Sequence, residues 1–202
     1  MSGGTLVHLG TLPKQQQAVL RACAAPTARW GAYLAGGTAL ALQLGHRRSD
    51  DLDWFTHETL KPDELLADIA ALGFAVAVSQ NDLGTFLGVV GDVKFSVFRY
   101  RYRMVERPTV LTGGFAGCRL AGFHDLAAMK LAAIMGRATK RDYVDLHALL
   151  TTGEMSLVAM LEAFSSKYPE ADTRPALRAL VYFADVEKQR MPSCTPAQAG
   201  RT

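Results

Sequence analysis

The chain has 202 residues, about half of them hydrophobic, and a formal net charge of +3. That is enough apolar material for a sizeable core, which excludes a globally disordered chain, and the slight positive balance points only weakly to a polyanionic partner. No apolar run approaches the ~20 residues needed to span a bilayer, and MSGGTLVHLG lacks the charged and apolar regions of a secretory leader. The expectation is a cytoplasmic protein with no membrane association. Cys23, Cys118 and Cys194 are far apart and without metal-ligand spacing, and they read as free thiols in a reducing compartment.

Pro13 suits the first turn of a helix that continues through Gln17 and Leu20 to about Ala24. Residues 30–35 are short, apolar and aromatic and run into Gly36-Gly37, as a strand entering a tight turn would. Residues 38–44 predict a short buried helix and 51–55 a second strand. Pro62 opens a helix to about Leu72, with Leu65, Ile69 and Leu72 at helical spacing. Strands are expected over 74–79, 85–90 and 93–98, the last two joined by a turn at Gly91-Asp92.

After Pro108 leucine, alanine and methionine replace the β-branched residues, and 122–135, 142–150, 156–167 and 174–185 read as helices. The tail from Pro192 is rich in proline, serine and alanine, the composition of a disordered segment. The fold class is therefore α/β (α+β): a small mixed β-sheet core over residues 1–120, a C-terminal helical part over 121–190, and a tail over 191–202.

The segment that carries chemistry runs from Gly36 to Phe55. Glycines at a strand-to-helix turn let the backbone approach a ligand, and the following helix aims its free N–H groups at the same spot. Thr38 can cap that helix or donate to a phosphate oxygen; a plain structural turn is the alternative. Asp51 and Asp53, two apart on a strand, place both carboxylates on one face. Adjacent carboxylates repel unless a cation joins them, and Mg²⁺ suits one or two such oxygen ligands plus substrate phosphates. The alternative is a solvated strand end paired with Arg47 or Arg48. Basic residues gather at 46–48, at 99–107 and at 137–141, and their convergence depends on the fold.

The combination of a Gly-Gly-Thr turn, a short helix, an Arg-x-Ser step and Asp-Leu-Asp-x-Phe resembles the signature of the polymerase-β-like nucleotidyltransferase superfamily. GGTALALQLGHRRSDDLDWF is more closely similar to its AbiEii/AbiGii-type abortive-infection toxin branch. Residues 122–134 resemble that branch's lysine helix, with Lys130 at the lysine. Residues 137–146 resemble its R-D-x-x-D-L step, with Asp145 at the second aspartate.

The resemblance implies a magnesium-dependent enzyme that transfers a nucleotide from a nucleoside triphosphate to an acceptor, RNA such as a tRNA end, and acts as a toxin with a cognate antitoxin. It implies that Gly36, Gly37 and Thr38 cradle the triphosphate, that Asp51 and Asp53 hold Mg²⁺, and that Lys130 reaches the nucleotide. Asp145 joins the catalytic set. Arg47 and Ser49 could orient phosphates or Asp51. Arg137, seven residues beyond Lys130, shares its helical face and could meet the same polyanion. His46, His124 and His147 have no mutual ligand spacing and read as structural.

One position departs from the wider superfamily, which places a third carboxylate on a neighbouring strand. Alternation along 93–98 puts Ser96 there, with Lys94 and Phe98 on the same face. A catalytically weak nucleotide-binding module, or an interaction protein that retains the fold, therefore stands beside the enzyme.

Overall fold

The computed structural model describes residues 7–184 and 186–194. Helix α1 (Lys14–Arg29) starts directly after Pro13 and runs past Ala24 through Pro26. Val19, Leu20 and Cys23, buried on the sheet side, anchor it through the interruption. Strand β1 (Tyr33–Leu34) is shorter than the apolar run that predicts it. Gly31, at φ +63°, turns the chain before it, and Ala35 already serves as the N-cap of α2 (Gly36–Leu44). Then follow β2 (Asp51–Thr56), α3 (Pro62–Ala70), β3 (Val76–Asp82), β4 (Thr85–Val90) and β5 (Val93–Arg99), close to their expected places.

Two strands of two residues each, β6 (Thr109–Val110) and β7 (Arg119–Leu120), lie in a stretch that carries no readable alternation. They are too short to show a period, and only pairing with neighbours makes them strands. The helices after them are α4 (Phe123–Gly136), α5 (Lys140–Thr151), α6 (Leu157–Lys167) and α7 (Arg174–Val181). Helix α5 begins before the expected position 142 because Thr139 and Asp142 form a reciprocal capping box there. Residues 192–194, expected to open a disordered tail, run beside 47–48: Arg48 N donates to the Ser193 carbonyl at 2.9 Å, and Cys194 bridges Arg47. The rest of that tail lies outside the described residues. Among the described residues no helix is long and apolar enough to cross a membrane.

The strands form one mixed sheet in the order β3-β4-β5-β2-β1-β7-β6. Strand β2 is central, parallel to β5 and antiparallel to β1, and it alternates strictly. Leu52, Trp54 and Thr56 are buried on one face, where α1 packs across β2 and β5. Asp51, Asp53 and Phe55 point to the other face, beside Lys94, Ser96 and Phe98 in register on β5. Helix α4 packs against α2, α5, α6 and α7, so a single apolar cluster runs from α1 through the sheet to α6.

Candidate active site

The two strand carboxylates stand in different surroundings. Asp51 is 36% exposed, with Lys94 Nζ and Arg141 Nη1 each 4.0 Å from its oxygens. Asp53 is more enclosed and accepts a hydrogen bond from the Ser96 hydroxyl at 2.6 Å. Burial pushes the Asp53 carboxyl above its ordinary range; the Ser96 bond opposes this, the Asp51 charge adds to it, and Lys130 and Arg137 only partly offset it. Asp53 is thus a carboxylate whose negative charge the protein leaves under-compensated.

The glycine turn meets this pair directly. Gly36 has φ +65°, and a Cβ there would stand 3.1 Å from Asp53 Oδ2. At Gly37 a Cβ would fall 2.0 Å from Arg47 Nη2, so the guanidinium occupies the space that any side chain would need. No side chain caps the N-terminus of α2. The buried Thr38 hydroxyl donates to the Asp51 main-chain carbonyl and pairs with the Ser49 hydroxyl at 2.7 Å. Thr38 and Ser49 thereby pin the start of β2 to the first turn of α2, which leaves the main-chain amides of that turn, rather than the hydroxyl, to face a ligand.

Behind the turn lies a buried ion network. Arg47 grips Asp145 with Nε to Oδ1 at 2.6 Å and Nη2 to Oδ2 at 2.9 Å. Lys130 Nζ lies 2.6 Å from Asp145 Oδ2 and 2.8 Å from Asp142 Oδ1. His46 Nε2 adds a bond of 2.7 Å to Asp145 Oδ1. Thr139 contributes its hydroxyl to Asp142 at 2.6 Å. Burial would raise the Asp145 carboxyl, but Lys130, Arg47 and His46 together hold it far below the usual carboxylate range. Asp142 is lowered in the same way, burial being outweighed by Lys130, Thr139 and Arg137. Two cations and two carboxylates close this network at neutral charge, joining α4 and α5 to the segment between α2 and β2.

The fold therefore brings together Gly36, Gly37, Thr38, Ser49, Asp51 and Asp53 at one end of the sheet, with Arg47, Lys130 and Asp145 directly behind them. Arg47 is committed to Asp145, and Asp145 is fully buried. Arg137 is exposed at the C-terminal end of α4. Of the three basic clusters only the third reaches the carboxylates, through Arg141, which flanks Asp51 together with Lys94 of β5; Arg47 of the first lies behind them on Asp145. Sequence reasoning placed Lys94 on this face but missed the approach of Arg141 to Asp51. It missed, too, the ion pair of Lys167 Nζ with Asp125 Oδ1, both fully buried at 2.5 Å. Neither has a local signal, since each depends on helix packing. Of the histidines, His46 serves the Asp145 network and His124 pairs with Glu106 at 3.2 Å.

A mixed sheet with paired aspartates on its central strand, opposite a glycine turn into a helix, is the architecture of a nucleotidyltransferase. Comparison with known proteins agrees. Residues 91–193, about half of the chain, match the family described as nucleotidyl transferase AbiEii toxin, type IV TA system. The chain belongs to that family. An uncharacterized protein of Aquifex aeolicus (strain VF5) is 35% identical over 159 residues, which cover 78% of this chain and 76% of that protein. In fold the chain is similar to a nucleotidyltransferase from H. pylori (TM-score 0.56, 20% identity, 82% of this chain and 90% of that one). It is similar also to MenT4, a nucleotidyltransferase toxin from Mycobacterium tuberculosis H37Rv (TM-score 0.54, 20% identity, 74% of this chain and 61% of that one).

Proposed function

We propose that this protein transfers a nucleotide from a nucleoside triphosphate to a hydroxyl of an RNA acceptor such as a tRNA end, with Mg²⁺, and that it acts as a toxin held in check by a cognate antitoxin. The observation that carries the reading is the under-compensated carboxylate of Asp53, on one strand face with Asp51 and against the uncapped first turn of α2.

The donor set fits magnesium. Two carboxylates with oxygen-only chemistry suit a hard cation that retains phosphate or water ligands. Among the described residues no group of three or more His, Cys, Asp or Glu could hold a metal, so a Mg²⁺ on Asp51 and Asp53 would need further oxygens, which a triphosphate would supply. When bound, Mg²⁺ polarises the phosphoryl oxygens and draws the acceptor hydroxyl toward deprotonation. The chain's own residues do the rest. The amides of Gly36, Gly37 and Thr38 bind phosphate oxygens at the positive end of α2. Asp51 and Asp53 would hold the Mg²⁺ and, being anionic, act on the α-phosphate only through it. The acceptor oxygen bonds to the α-phosphorus, the α–β bridging bond breaks, and pyrophosphate leaves. The hydroxyl proton passes to solvent by way of the partly exposed Asp51.

In this reading Lys130 stays on Asp142 and Asp145 and lends its charge to the incoming triphosphate. Asp145, which touches no substrate, positions Lys130, and Arg47 positions Asp145. Ser49 acts through Thr38. The helical part over 121–190 thereby completes a site that the sheet begins.

The test is incubation of the purified protein with α-labelled triphosphates, magnesium and total RNA. Label is expected in RNA with the parent and not with Asp53→Asn. Binding of triphosphate with no label transferred to any RNA would instead favour a nucleotide-binding module, the reading that Ser96 in place of a third carboxylate supports. Growth arrest on induction of the parent, absent with Asp53→Asn, tests the toxin role.

A further inference from the structure

Beyond the carboxylates the same sheet face becomes aromatic. Phe55, two residues past Asp53 and so ~7 Å along the strand, contacts the Tyr100 ring edge-on at 5.3 Å. Tyr100 meets Tyr102 at 5.2 Å, and Tyr102 meets Tyr168 at 4.6 Å, both edge to face. These tyrosines wall an open cavity of about 690 Å³ whose far side is formed by Ala132 and Met135 of α4, the helix that carries Lys130. The cavity is anchored from beneath. The buried Lys167 ammonium donates to Asp125 and to the Arg103 carbonyl at 3.1 Å, while Asp125 accepts from the amides of Val105 and Glu106. The Tyr100–Glu106 segment is thus fixed although it has no regular structure. The reaction proposed above gives no task to this buried pair or to the cavity.

The segment itself alternates. Arg99, Arg101 and Arg103 are exposed, while Tyr100 and Tyr102 between them turn inward to the cavity. Arg101 lies over the Tyr102 ring at 4.8 Å and donates to its hydroxyl at 2.8 Å. Exposed arginines interleaved with ring faces match a single-stranded polynucleotide, whose phosphates recur outside while its bases stack inside. A triphosphate alone needs no such row, because its phosphates are held at α2. Glu170, also on the cavity wall, offers an acceptor to the amino group of a base.

We infer that the Tyr100–Tyr102–Tyr168 cavity holds the terminal base of a single-stranded RNA acceptor, with Arg99, Arg101 and Arg103 on the phosphates behind it. This rests on the acceptor being RNA, as proposed above. The base stacks on Tyr102 beneath or in place of Arg101, and the terminal ribose hydroxyl is directed along the strand toward Asp53.

The test is fluorescence anisotropy with a 5′-fluorescein single-stranded oligoribonucleotide of about eight nucleotides, without triphosphate or magnesium. Magnesium–ATP affinity is measured separately by calorimetry. Tyr102→Ala is expected to weaken RNA binding about tenfold, as loss of one stacked base does, and to leave ATP affinity unchanged; Tyr102→Phe retains binding. Arg101→Ala, at an exposed position that folding does not need, is expected to lower the slope of log affinity against log salt by about 0.7. RNA affinity and salt slope equal to the parent's in both alanine variants would overturn the assignment, as would a parent that does not bind the oligonucleotide. Loss of ATP affinity with RNA affinity intact would also overturn it, giving the cavity to the triphosphate's base. RNA binding that responds as expected, in a protein that transfers no label, leaves the cavity assignment standing and removes the transferase reading alone.

Discussion

Asp53 and Asp145 are both enclosed, yet the protein treats them in opposite ways. Asp145 is surrounded by Arg47, Lys130 and His46, and its carboxyl is held far below the usual range. Asp53 has one hydroxyl bond, from Ser96, and an acidic neighbour in Asp51, and burial raises its carboxyl. The first arrangement is what a buried charge needs in order to contribute to stability. The second leaves negative charge uncompensated, as the proposed metal site requires. The contrast teaches where structure ends and chemistry begins in a cluster that, by residue type alone, looks uniform.

The sharpest way to break this contrast is Asp53→Asn. If Asp53 is the functional member, transfer falls by at least about a thousandfold, because several kcal/mol of transition-state charge stabilisation are lost. The melting temperature at neutral pH stays level or rises, since the amide removes a charge that burial disfavours. The sign follows from linkage: a carboxyl raised in the folded state binds its proton more tightly folded than unfolded. Its penalty is therefore full at neutral pH and is relieved as pH falls through the raised value. Calorimetry and initial rates decide this; a large drop in melting temperature would place Asp53 in the structural set instead.

Asp145→Asn should do the reverse. Leaving Arg47 and Lys130 buried with one carboxylate between them costs about 3–5 kcal/mol, readable as a lower urea midpoint. In the parent the depressed Asp142 and Asp145 contribute stability that is full above the unfolded carboxyl value and lost as pH falls through the folded values. Urea midpoints of the parent should therefore decline below about pH 5, and those of Asp145→Asn should decline less steeply.

Lys130→Ala probes the link between the two regions. It is expected to lower stability, and to weaken triphosphate binding by less than the ~1.5–3 kcal/mol of a direct charge-assisted contact, because its ammonium acts from its place on Asp142 and Asp145. Isotherms identical to the parent's would confine Lys130 to the network. The smallest effect is at Ser96. Ser96→Asp, in register with Asp53 on β5, adds a carboxylate and should tighten magnesium binding in the absence of nucleotide, though Lys94 beside it limits the gain. Equal magnesium affinity by calorimetry would mean that position 96 does not reach the metal.

Much of the site was legible in the sequence because it is local. A two-residue period puts Asp51 and Asp53 on one face and Leu52 and Trp54 on the other. The same count along 93–98 puts Lys94, Ser96 and Phe98 on one face, though only the strand register sets Ser96 level with Asp53. Gly36-Gly37 could be read as a turn, but not that Gly37 is glycine to make room for Arg47. The Thr38 hydroxyl, open to two readings in the sequence, is engaged with Ser49 and the Asp51 carbonyl.

The sequence by itself determined the order of the longer elements, the alternation that aims two carboxylates at one surface, and the turn at Gly36-Gly37, because each depends on residues a few positions apart. Tertiary structure alone decided which charges are satisfied. Arg47 and Asp145, distant in sequence, meet only because α2 and α4 pack together with α5 against both. Lys167 finds Asp125 only because α6 lies on α4. The strands β6 and β7 exist only as partners of each other and of β1. Side-chain type specifies what a buried charge requires, and packing across the whole chain specifies whether that requirement is met. In this protein that difference separates Asp145 from Asp53.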